Sequence, residues 1–139
     1  MEPKSALDLK RMSALLHALA RAAGEGTHDL SVVYLSGDRT AQHSCDLEGP
    51  VFDDNSECHD LHRVASLLFG TAINGGMAVV VLRTPQADGT RAVRVWRVRD
   101  LVARPCTGAQ SFNAYCFDEA GRLTGPEPGA VYVDAPELV

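Results

Sequence analysis

The sequence predicts an α+β fold: an antiparallel sheet of about five to seven strands built from hairpins, with two main helices packed on it, in the order α-ββ-α-ββ-ββ-β. Three observations lead there. Two segments repeat apolar residues at helical spacing. Short β-branched or alternating runs come in pairs separated by tight-turn residues. Strands joined by such turns must pair antiparallel, because a parallel pair needs a crossover of about a dozen residues. Two amphipathic helices then need a surface to cover, and one face of the sheet supplies it.

The first helix is expected over about residues 6–23. Ser5 and Asp8 suit its start, Leu9, Met12, Leu16, Leu19 and Ala23 form its stripe, and Gly24 and Gly26 end it. Leu30–Leu35 reads as a strand, Ser36-Gly37-Asp38-Arg39 as its turn, and Thr40–Leu47 alternates with period two as the returning strand. The acids and amides of Asp53–Glu57 are placed to cap a second helix over about 55–73, with Cys58, Leu61, Ala65, Leu68 and Ala72 as its apolar stripe and Asn74-Gly75-Gly76 as its stop. Met77–Leu82 reads as a fully buried strand, with Ala92–Val98 as its hairpin partner across Pro85–Thr90. After Asp100–Arg104 and Pro105 the chain becomes looser, and no strand is assigned to that stretch. A third hairpin is expected over Ser111–Phe117 and Arg122–Thr124, and a last strand over Ala130–Asp134. Leu16, Leu19, Val32, Leu61, Leu68, Val79 and Val81 are the expected core. The order of elements resembles that of small profilin-like and roadblock-type domains; no motif accompanies the resemblance, so it implies no function.

The chain has 139 residues, and neither an internal repeat nor a long linker divides it, so residues 1–139 are expected to form one domain. No apolar run approaches the roughly 20 residues that span a bilayer. Charges between Lys4 and Arg11 interrupt any secretory core, so the expectation is a cytoplasmic protein with its four cysteines reduced. The net charge of −5 is segregated: residues 24–62 carry −8 and residues 63–104 carry +5. Overall acidity argues against nucleic acid as partner.

The most unusual local feature is His43-x-Cys45 followed by Cys58-His59-x-x-His62, which gathers five of the nine Cys and His residues into one short window. On a strand His43 and Cys45 share a face, and on a helix Cys58 and His62 are one turn apart, so His43, Cys45, Cys58 and His62 are candidate zinc ligands. The competing reading makes Cys45 and Cys58 core thiols. A thiolate nucleophile is disfavoured, since Asp53, Asp54, Glu57 and Asp60 crowd Cys58. Asp53-x-Asn55-x-Glu57 lacks the glycine and terminal glutamate of a calcium loop. No glycine-rich phosphate cradle opens a helix.

Arg91–Arg99 is the basic counterpart. On a strand, Arg94, Trp96 and Val98 fall on one face, and Val93, Val95, Arg97 and Arg99 on the other. Arg and Trp are common anchors of protein interfaces. With no complete catalytic set in the chain, the expected function is that of a non-catalytic binding module, an inhibitor, immunity-type or adaptor protein of a bacterial or phage system. Its partner-binding candidates are Asp53, Asp54, Glu57, Arg94, Trp96, Arg97 and Arg99, and its partner another protein. The alternatives are a small zinc protein or metal-dependent hydrolase, and a ligand-binding domain that dimerises through its sheet. No cofactor other than zinc is expected.

Overall fold

A computed structural model describes residues 6–107 and 128–138. The elements are α1 (Ala6–Ala23), β1 (Gly26–Ser36), β2 (Arg39–Gly49), α2 (His59–Ile73), β3 (Met77–Pro85), β4 (Arg91–Arg99), β5 (Val102–Pro105) and β6 (Ala130–Tyr132). The strands form one sheet in the order β2-β1-β3-β4-β5, antiparallel throughout; β6 lies parallel to β4. The fold is thus α+β as the hydrophobic patterning predicts. The expected hairpin over 111–124 lies outside the described residues.

Both helices cover one face of the sheet. Met12, Leu16 and Leu19 of α1 and Leu61, Val64 and Leu68 of α2 share a core with Leu30, Val32, Val80, Leu82, Trp96 and Val98 from the strands. The register places Val32, Val80 and Trp96 side by side across three strands, so alternate residues of each strand must point away from the helices. Val79, Val81, Val93 and Val95 do so. They form a second cluster with Cys106, against which Met77, Ala130 and Tyr132 pack. All seven expected core residues are buried, with Val79 and Val81 in this second layer. β3 is hydrophobic at every position from Ala78 to Leu82 because both of its faces are covered.

Three local expectations are corrected. α2 begins at His59 rather than near residue 55, with Cys58 as an N-cap that makes no side-chain hydrogen bond. The residues expected to cap it bond elsewhere: Asp53 Oδ1 accepts the Asn55 N–H at 2.9 Å, and Asp54 reaches α1. Cys58 is therefore exposed at the helix start and takes no part in the apolar stripe. Leu9, assigned to the stripe of α1, is 52% exposed.

The third correction is β5, where no strand was expected. Asp100 and Leu101 form a two-residue turn with both φ angles positive (48° and 61°), the conformation that tight hairpins need but that usually calls for Asn-Gly. Tertiary contacts hold it. The Leu101 side chain is buried, its N–H donates to Thr71 Oγ1 at 3.1 Å, and the Thr71 hydroxyl donates to the Leu68 carbonyl at 2.7 Å. Arg11 of α1 donates to the Asp100 carbonyl from the other side. β5 and β6 then share one edge of β4, pairing with Trp96–Arg99 and Arg91–Val93 respectively.

The C-terminal end of α1 is set against the end of β2. His28 Nε2 donates to the Gly24 carbonyl at 3.0 Å, leaving Nδ1 to accept from Thr84 Oγ1 at 2.8 Å. Here Gly49 is required: a Cβ on it would lie 2.1 Å from the Gly24 carbonyl oxygen and 2.6 Å from that of Ala20.

Candidate functional site

The acidic segment folds onto the helix layer. Asp54 accepts a hydrogen bond from the Ser13 hydroxyl at 2.9 Å and one from His17 Nε2 at 2.8 Å, while the Phe52 ring meets the His17 ring edge-on at 5.3 Å. The bond from His17, then that from Ser13, holds the Asp54 carboxyl below its ordinary value of 3.8. Between this latch and α2 opens a cleft of about 350 Å³, whose apolar walls are Leu9, Met12, Leu16, Phe52, Leu61 and Phe69. Ser13, Asp54, Ser56, His62 and Ser66 supply its polar groups. Asp53, Glu57 and Asp60 are exposed beside it and make no ion pair among the described residues. An apolar hollow with a few convergent polar groups is the usual form of a binding site.

The basic residues divide by strand parity, as the alternation predicts. Arg94 and Trp96 lie on the helix-facing side. Trp96 is fully buried, and its indole N–H donates to the Pro136 carbonyl at 2.9 Å, so its ring fills the core. Arg94 is half-buried beside it, with one terminal nitrogen enclosed and unbonded among the described residues. Arg97 and Arg99 are exposed on the opposite face, where β5 brings Arg104 directly across from Arg97. With Met77 and Val102 these three line a concavity of about 540 Å³. The acidic rim and this arginine corner thus lie on opposite sides of the sheet. Arg83 behaves differently: it bonds Asp29 at 3.1 Å and Ser31 Oγ at 2.9 Å.

The four metal candidates are dispersed in role. His43 is half-buried on β2 opposite Val32, and Cys45 is buried opposite Leu30. Cys58, the N-cap of α2, and His62 on α2 are exposed, with His62 Nε2 at 3.4 Å from the Ser56 carbonyl. Burial, followed by the nearby Cys58, Asp29, Asp46 and Asp60, pushes the Cys45 thiol up to about 12. Metal ligation needs the thiolate. Among the described residues no three His, Cys, Asp or Glu side chains gather into a group that could hold a metal ion.

No protein-family model, curated protein or solved structure matches the chain. No helix among the described residues is long and apolar enough to cross a membrane. The site residues that sequence reasoning missed are Ser13 and His17, which latch the acidic segment, and Arg104, which completes the arginine corner. The spacing of Ser13 and His17, four residues apart on α1, places them on one helix face, but nothing local pairs them with residue 54. Arg104 could be placed only once β5 was known to be a strand.

Proposed function

We propose that this chain is a non-catalytic binding module that recognises a protein carrying basic side chains around an apolar anchor. The observation that carries this reading is the acidic rim of Asp53, Glu57 and Asp60, without an ion pair among the described residues, set beside the apolar cleft between α1, α2 and the 50–57 segment. The cleft takes the partner's apolar side chain, and the rim draws in and orients its lysines or arginines. The Asp54 latch holds the rim in place before the partner arrives, which lowers the ordering cost of binding. Such a surface suits an inhibitor, an immunity-type protein or an adaptor, each of which acts by occupying its partner.

The test is affinity capture with the wild-type chain and with Asp53→Lys/Glu57→Lys, followed by association kinetics with the captured protein. The expected result is loss of capture by the charge-reversed chain, with a wild-type association rate that falls as salt rises. Equal capture by both chains, or turnover of a small substrate by the isolated protein, would overturn the reading.

A further inference from the structure

We propose that the arginine corner on the opposite face is a binding site for a small molecule carrying adjacent phosphate groups, of the size of a nucleoside diphosphate. Arg97 on β4 and Arg104 on β5 are a direct cross-strand pair, and Arg99 follows two residues along the same face. Like charges directly opposite each other in a sheet repel, and side chains in such pairs stand only about 5 Å apart at their Cβ atoms. No carboxylate among the described residues pairs with any of the three. A repulsion that no described carboxylate relieves is where a polyanion gains most, because the arrangement that destabilises the free protein becomes attraction when the anion binds.

The ligand class follows from chemistry and size. Guanidinium groups present planar forks that match phosphate oxygens two at a time. Three of them call for more charge than one carboxylate brings. The concavity, about 540 Å³, exceeds what a single inorganic phosphate fills, and falls within the range of small-molecule sites. Met77 and the half-exposed Val102 give it an apolar wall for the organic part of the ligand. Adjacent phosphates between the guanidiniums, with the rest of the molecule against Met77 and Val102, use every lining residue.

The experiment is titration calorimetry and thermal melting of the full chain at about 50 mM salt, where phosphate contacts are least screened. The probes are pyrophosphate, ADP and adenosine. Pyrophosphate and ADP are expected to bind one-to-one with dissociation constants below about 1 mM, and adenosine not to bind. Arg104→Ala is expected to weaken both by about ten-fold or more, as loss of one charged hydrogen-bonding group does. Arg104→Lys is expected to restore only part, since a point charge replaces a fork. In the absence of ligand, Arg104→Ala is expected to keep or raise the melting temperature, because it removes a repulsion. A purely structural arginine would lower it. Absence of binding by both diphosphates, unchanged binding in the combined Arg97→Ala/Arg99→Ala/Arg104→Ala variant, or binding of adenosine as tight as that of ADP would overturn the proposal. Its outcome is independent of the protein-binding reading, which rests on the other side of the sheet.

Discussion

Asp54, in the helix-layer rim, gives one carboxylate oxygen to Ser13 and the other to His17, whereas at the arginine corner Arg97 and Arg104 stand abreast with no acidic partner among the described residues. The two charged regions therefore differ in what their charges do. One acid of the rim is structural, fastening a loop to α1, and its neighbours Asp53, Glu57 and Asp60 make no ion pair among the described residues. At the corner, even the arrangement of the strands works against the charges it displays. Arg83 and Asp29, on the same face as the corner, show the ordinary solution, an ion pair at 3.1 Å. Position on a given face does not decide whether a charge is structural; the presence of an opposite charge does.

The largest effect that sharpens this contrast comes from beneath both regions. Trp96 lies between Arg94 and Arg97 in sequence yet is wholly buried, so Trp96→Ala should cost about 3–5 kcal/mol in denaturant unfolding. It should also strand the Pro136 carbonyl. A cost near zero would mean that the ring is a surface anchor after all. Leu68→Ala, in the same core on α2, should cost about 2–5 kcal/mol.

Gly49→Ala comes next. Its Cβ would collide with two backbone carbonyls of the α1 terminus, where no flexible side chain can yield, so a loss of about 1–3 kcal/mol is expected from the same unfolding curves. An unchanged midpoint would show that α1 does not sit on the end of β2.

The latch has a pH signature. The carboxyl of Asp54 is lowered in the folded state, so its contribution to stability is present above the ordinary carboxylate value of 3.8 and is lost as pH falls through the lowered folded value. Melting temperatures measured downward from pH 5 should therefore drop more steeply in the wild type than in Asp54→Asn. Parallel profiles would show that the Asp54 carboxylate does not fasten the segment to α1.

Thiol labelling should separate the cysteines. Among the described ones, Cys58 should react with a maleimide in the native protein, while Cys45 and Cys106, both buried, should react only on unfolding. Native mass spectrometry of the same preparation should show less than one zinc per chain; one tightly held zinc would instead favour the ligand set His43, Cys45, Cys58 and His62. The smallest effect is expected at the exposed acids outside the latch. Asp53→Lys/Glu57→Lys should leave the melting temperature unchanged while abolishing partner capture, which would distinguish these acids from Asp54.

Periodicity by itself determined the two helices, the β1–β2 and β3–β4 hairpins and the parity that separates Arg94 from Arg97, because burial alternates with the geometry of the chain whatever lies on top of it. The core was legible for the same reason: Leu19, Val32 and Leu68 need only to be apolar at the right spacing. Features that depend on a partner distant in sequence were not. Asp53 and Asp54 are good helix caps by local rules, but Ser13 and His17 lie some forty residues away and bind Asp54 instead, so α2 starts later than its capping signals suggest. The turn at Asp100-Leu101 carries no turn signature, and its left-handed backbone is held by the burial of Leu101 and by Thr71 of α2. That turn creates β5, and β5 brings Arg104 to Arg97. Local sequence sets which residues could face a surface, and long-range packing decided which of them meet, because a hydrogen bond or a buried side chain from another element outweighs a local preference of a kilocalorie or so.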